Sequence, residues 1–208
     1  MAVVITVAQQ KGGAGKTTLV ANLAAAWSAT RRVTALDLDP QRSLARWAAI
    51  RAGRAVPGQL SVVECAGWRL SIKLARLHKE ADLVLVDSPP QVDADARRAV
   101  RGADLVLVPV QPSPPDIWAA EGTLKITAEE HRRSAVVLNR VPTAARLRET
   151  ADRELRARGF VLLPASLGNR AAFSHAFAVG LGVTEAAPRS QAAAEVRALA
   201  AAIESVIG

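Results

Sequence analysis

The densest chemistry in the chain lies in Gln9-Gln10-Lys11-Gly12-Gly13-Ala14-Gly15-Lys16-Thr17-Thr18. Glycines let backbone N–H groups approach and curl round phosphate oxygens. A helix starting directly behind them adds partial positive charge at its N-terminus. In such a loop Lys16 reaches the β- and γ-phosphates of a nucleotide, and the Thr17 hydroxyl ligates Mg²⁺. Two carboxylates follow in Ala35-Leu36-Asp37-Leu38-Asp39-Pro40-Gln41. Asp37 and Asp39 occupy alternate positions at a strand end and point the same way. A third acid, Asp87, closes the apolar run Leu83-Val84-Leu85-Val86 and precedes Ser88-Pro89-Pro90. There it is placed to hold Mg²⁺ through water. Each feature also has a plainer reading. The glycines alone make a turn before a helix, Asp39 before Pro40 makes a helix N-cap, and apolar strands ending in Asp are common.

The elements that must hold these residues are legible as an alternation. Apolar runs at Val3–Ala8, Val33–Asp37, Leu60–Glu64, Leu83–Asp87, Leu105–Val110, Ala135–Asn139 and Phe160–Pro164 are separated by amphipathic stretches. Continuous apolar strands between helices predict an α/β fold with a mostly parallel central sheet covered on both faces. Such a sheet binds ligands at the carboxyl ends of its strands, where Asp37, Asp39 and Asp87 fall. Helical patterns are expected over Leu19–Ala29, Arg42–Arg54 and Gln191–Ile207. Trp27 and Trp47 lie in such patterns as core residues. No repeat, linker or composition break divides the 208 residues, so residues 1–208 read as one domain.

Composition narrows the function classes. The formal net charge is +8, which suits a polyanionic partner such as DNA, although arginine-rich coding bias gives the same balance. The one cysteine, Cys65, cannot form an internal disulfide or a multi-cysteine cluster, and its apolar setting predicts a buried thiol. His78, His131 and His175 show no ligand spacing. No apolar run has the length of a membrane span, and the first strand begins at once, which leaves no room for a signal peptide. A cytoplasmic protein is expected.

A strict phosphate-loop pattern would require glycine where this chain has Gln10. The sequence K-G-G-x-G-K-T-T, with Lys11 five residues before Lys16, resembles the deviant loop of the ParA/MinD family of ATPases. D-x-D-P-Q at Asp37–Gln41 and D-S-P-P at Asp87–Pro90 follow in the order of that family, whose usual form is D-x-P-P. Val108-Pro109-Val110-Gln111-Pro112-Ser113-Pro114-Pro115-Asp116 resembles the P-V-x-P-S-P-x-D segment of small, ParF-like partition ATPases, which lies near their dimer face. A rigid loop with no partner is the plainer alternative there.

The resemblance covers essentially the whole chain, and it implies the following. The fold is a P-loop NTPase of the SIMIBI type, and the cofactors are ATP and Mg²⁺. Lys11, Gly12, Gly13, Ala14, Gly15, Lys16, Thr17 and Thr18 cradle the phosphates. Lys11 crosses a homodimer interface to the partner's nucleotide. Asp39 positions the attacking water, while Thr17, Asp37 and Asp87 serve the metal. Asn139 and Asn169 lie near the adenine, and Ser88–Asp95 forms a nucleotide-sensing loop. The ATP-bound dimer binds DNA non-specifically on the nucleoid, and a ParB-like or other small adaptor stimulates slow hydrolysis. The cargo is a plasmid, a chromosome locus or a protein cluster.

Other classes on this fold are a MinD-like membrane regulator and a small-molecule ligase or kinase. The last helix has Arg197 as its only positive charge, against membrane targeting. Lys11 and the D-x-D-P-Q stretch argue against a ligase. Among the arginines, Arg146, Arg148, Arg153, Arg156 and Arg158 share a stretch with Glu149, Asp152 and Glu154, the mark of a solvated face. A DNA surface would combine some of them with Arg170 and Arg189.

Overall fold

The computed structural model of the chain describes residues 1–90 and 94–208. The sensing-loop expectation over Ser88–Asp95 therefore falls in part on Gln91, Val92 and Asp93, outside the described residues. The elements run β1 (Val3–Val7), α1 (Lys16–Ser28), β2 (Arg32–Asp37), α2 (Ser43–Ala52), β3 (Gln59–Glu64), α3 (Leu70–Glu80), β4 (Leu83–Asp87) and α4 (Ala94–Arg101). They continue with β5 (Leu105–Val110), α5 (Pro114–Glu129), β6 (Arg133–Leu138), α6 (Ala145–Ala157), α7 (Ala171–Ala178), α8 (Val183–Ala186) and α9 (Gln191–Ile207).

Among the described residues six strands pair in the order β3-β2-β4-β1-β5-β6, and every pairing is parallel. Alternation along each strand divides the core into two faces. Ile5, Val7, Val33, Ala35, Leu83, Leu85, Leu105 and Leu107 pack with α1, Trp47 of α2 and the C-terminal helices. On the opposite face Val4, Leu36, Val84 and Val86 meet Leu70, Leu74 and Leu77 of α3. Val106, Val108, Val136 and Leu138 meet α5 and α6 there. Both faces being covered is why the strands read as unbroken apolar runs. α1 is buried nearly all round, because it lies between the sheet and α9. Trp27 and Trp47 are core residues, as expected.

The register of the sheet sets the site. Val7 is paired with Asp87 across β1 and β4, and Asp37 is paired with Asp87 across β2 and β4. The glycine loop and two of the acids therefore leave adjacent strands at the carboxyl end of the sheet.

Two expectations need correction. Phe160–Pro164 is not a seventh strand. Leu162 makes a single parallel bridge to Val136, and Leu163 N–H donates to the Val136 carbonyl at 3.0 Å. Pro164 has no N–H with which to extend the ladder, and contact resumes only where Leu167 N–H meets the Leu138 carbonyl at 2.9 Å. Cys65 is half-buried rather than enclosed. It packs beside the α3 cluster, and that partial burial pushes its thiol pKa up.

Candidate active site

The loop between β1 and α1 turns on two glycines in the left-handed region, Gly13 at φ 79° and Gly15 at φ 88°. Gly15 is also the N-cap of α1, so that helix begins at Lys16. A Cβ on Gly15 would lie 2.5 Å from Asn139 Nδ2, so no side chain fits there. Neighbouring elements hold the loop by its carbonyls. Asn139 Nδ2 donates to the Ala14 carbonyl at 2.8 Å, and Gln111 Nε2 donates to that of Gly13 at 3.1 Å.

Lys16 is buried, and its ammonium donates to the Gln9 carbonyl at 3.1 Å. Burial lowers its pKa, while Asp87 and Asp39 raise it. An ammonium with several donors, drawn out of water at a helix N-terminus, is a receptor for anionic oxygen.

The three acids differ in their surroundings. Asp37 is engaged on both oxygens: Oδ1 accepts from Asp39 N–H at 3.0 Å, and Oδ2 accepts from Ala45 N–H at 2.9 Å. It thereby satisfies an orphan donor in the first turn of α2, the capping work that the plainer reading gave to Asp39. The N-cap residue itself is Arg42, at φ 53°. Asp39 is half-buried and lines the loop's cleft, with Oδ1 accepting from Gln41 N–H at 2.9 Å.

Asp87 is fully buried, and neither of its oxygens has a hydrogen-bond partner among the described residues. Burial pushes its pKa up to about 7. The Thr17 hydroxyl and the Lys16 charge pull the other way, and Thr17 stands close without hydrogen-bond geometry. A buried carboxylate with two orphaned oxygens beside a hydroxyl fits an Mg²⁺ hydration shell. No three His, Cys, Asp or Glu side chains converge into a metal cage among the described residues. A metal there would be held by Thr17, phosphate oxygens and water, with Asp87 outside them.

Lys16, Thr17 and Asp39 line a cleft of about 350 Å³ with Gly12, Gly13, Gly15, Thr18, Arg140 and Phe177. A larger cleft of about 630 Å³, bounded by Ala25, Pro57, Leu181 and Arg197, lies away from the three acids. Chemistry rather than size picks out the smaller one.

Lys11 is not brought to that cleft. Its ammonium pairs with Asp116 Oδ2 at 2.6 Å, at the start of α5. Asn139 has both ends of its amide engaged, since Oδ1 also accepts from Arg140 N–H at 2.9 Å. Asn169 is exposed and lines a separate polar cleft with Thr143, Arg148, Arg170 and Glu195. Arg170 makes a close pair with Glu195 at 2.6 Å. On α6, Arg156 pairs with Asp152 and Arg158 with Glu154, as a solvated face predicts. Sequence reading gave no role to Gln9 or Gln111, although both lie inside stretches it singled out, and it missed Phe177, which lies beside no motif.

Comparison with known proteins agrees with this geometry. The CobQ/CobB/MinD/ParA nucleotide binding domain family matches residues 5–183. The chain is 30% identical over 200 residues to the maintenance of carboxysome distribution protein A of Halothiobacillus neapolitanus, covering 92% of this chain and 91% of that protein. It is 32% identical over 187 residues to the protein ParA of Rhizobium radiobacter, covering 85% and 83%. Its fold is similar to that of the cell division ATPase MinD of Pyrococcus furiosus, at TM-score 0.80 and 21% identity over 99% of this chain and 100% of the other.

Proposed function

The chain belongs to the CobQ/CobB/MinD/ParA family of nucleotide-binding domains, and we propose that it works as an ATP-timed homodimer that partitions or positions cargo over the nucleoid. It is an ATP hydrolase with ATP and Mg²⁺ as cofactors. The observation that carries the site is the register joining Val7, Asp37 and Asp87, which sets the glycine loop, buried Lys16 and an orphaned carboxylate side by side.

The loop amides from Gly12 to Thr18 and the Lys16 ammonium take the phosphate oxygens. Thr17 would hold a bound Mg²⁺ and Asp87 would order the water around it, and the metal would supply spreading of the phosphate charge. Asp37 holds the turn that presents Asp39, and Asp39 orients the attacking water in line with the γ-phosphate. Such catalysis is positioning plus electrostatics. Lys11 of each chain leaves Asp116 and serves the other chain's nucleotide, so dimerisation completes the charge clamp. Asn139 braces the loop rather than reading the base.

The dimer binds DNA through phosphate contacts, and a ParB-like or other small adaptor stimulates hydrolysis and release. A relative named for carboxysome distribution and another named ParA support cargo positioning as the output. Against a membrane-bound reading, α9 buries Ala192, Val196, Leu199 and Ile203 in the core, so its apolar stripe is not available to lipid. No helix is long and apolar enough to cross a membrane among the described residues.

The test is a DNA shift assay on the full chain at rising salt, with ATP, with ADP and with Lys16→Ala. Binding is expected only with ATP and an intact Lys16, and it falls steeply with salt. Absence of a shift with ATP at low salt removes the DNA output. ATP affinity retained by Lys16→Ala removes the site.

A further inference from the structure

We infer that Arg140 is a nucleotide-binding residue whose guanidinium takes the phosphate chain beside the glycine loop. The backbone of Arg140 sits at φ 51°, in the left-handed region that glycine, asparagine and aspartate favour. A residue with a long side chain is strained there, and such strain persists where surrounding contacts hold it. The contacts are visible. Arg140 N–H donates to Asn139 Oδ1 at 2.9 Å, and the other end of that buried amide holds the Ala14 carbonyl at 2.8 Å. One side chain thus ties the strained residue to the glycine loop.

The result is an arginine aimed at the loop. It lines the cleft with Gly13, Gly15, Lys16 and Thr18, and its Nε lies 3.9 Å from where a Cβ of Gly15 would stand. Arg156, Arg158 and Arg170, further along the chain, each pair with a carboxylate. Arg140 makes no ion pair among the described residues. An unpaired planar fork of N–H donors beside a phosphate loop matches phosphate oxygens.

This inference rests on the glycine loop being a nucleotide site. Its test measures the affinity of the full chain for Mg-ATP, Mg-ADP and inorganic tripolyphosphate by displacement of a fluorescent ADP, together with the melting temperature without nucleotide. Arg140→Ala is expected to weaken all three ligands about tenfold, on the scale of a charge-assisted hydrogen bond, and Arg140→Lys to restore part of the loss. Arg140→Gly is expected to lose affinity equally while melting higher than the native chain, because glycine relieves the backbone. Native affinities in Arg140→Ala alongside lost binding in Lys16→Ala would overturn the inference and leave the site intact. A loss for the nucleotides but not for tripolyphosphate would assign the guanidinium to the base and overturn it as well. Native affinity in Lys16→Ala would overturn the nucleotide site itself.

Discussion

Lys11 Nζ lies 2.6 Å from Asp116 Oδ2, joining the glycine loop to the first turn of α5. The Ser113 hydroxyl donates to the same oxygen at 2.5 Å. Asp116 is buried, its Oδ1 has no partner among the described residues, and Lys11 is 40% exposed. The pair is thus lopsided: its lysine end is partly exposed and its carboxylate end is buried.

If Lys11 serves a second chain's nucleotide, Asp116 competes for it. Asp116→Ala is expected to lower the protein concentration at which ATP drives dimerisation by about fivefold, the scale of one partly exposed ion pair. Lys11→Ala is expected to abolish the ATP-dependent dimer. Sedimentation velocity with a non-hydrolysable analogue reads both, and an unchanged midpoint in Asp116→Ala would sink the competition.

Asp39 is expected to act on water rather than on ATP binding. Asp39→Ala should retain ATP affinity and lower phosphate release at least about a hundredfold, as loss of an acid–base group does. Because the same carboxylate accepts from Gln41 N–H, Asp39→Asn is the partner variant: it keeps an acceptor for the turn. Native turnover in Asp39→Asn would show that the charge is not needed.

Asp87 gives a pH signature with a definite sign. Its folded pKa of about 7 exceeds the ordinary value of 3.8. Between those values the folded chain holds a proton that the unfolded chain has released, so stability without nucleotide falls as pH rises from about 4 to about 7. Lys16 and Thr17 oppose the shift, while Asp37 and Asp39 reinforce it. Asp37 is raised by burial as well, so Asp87→Asn should flatten the slope without removing it. Urea unfolding at pH 5 and pH 8 measures the difference. Equal slopes in native and Asp87→Asn protein would count against a buried, unpaired carboxylate.

Two glycines of one loop should respond differently. Gly15→Ala meets both φ 88° and a contact of 2.5 Å with Asn139, and it is expected to cost about 1–3 kcal/mol and most of the nucleotide affinity. At Gly12 nothing lies within 4 Å of an added Cβ, and Gly12→Ala should stay within about 0.5 kcal/mol of native. Thermal unfolding of the two variants separates backbone strain from mere proximity to the site.

Much of the scaffold was legible for one reason. Strands buried on both faces, such as Leu83–Asp87, have no polar face to interrupt the run. The last helix keeps its expected bounds, Gln191–Ile207, and Ser190 Oγ accepts from Ala193 N–H at its start. Phe160–Pro164 carried the same apolar signal without the fold, because a short apolar run reports burial and says nothing about ladder partners. Within the site, residue types and order were legible, but engagements were not. Lys11 with Asp116, Gln111 with Gly13 and Asn139 with Ala14 are each about a hundred residues apart in the chain. Spacing reports neighbours on one element; it cannot report which side chains tertiary packing sets face to face. The left-handed backbone of Arg140 was equally silent, since nothing about arginine favours it.

The grip of Gln111 and Asn139 on the carbonyls of Gly13 and Ala14 has a kinetic consequence. A cradle shaped by its own protein need not be assembled around each incoming ligand, so capture becomes a matter of collision and the ordering entropy is settled during folding. In the proposed dimer, residence time, set by how tightly phosphate and metal are held, is then the quantity left for a second chain to lengthen.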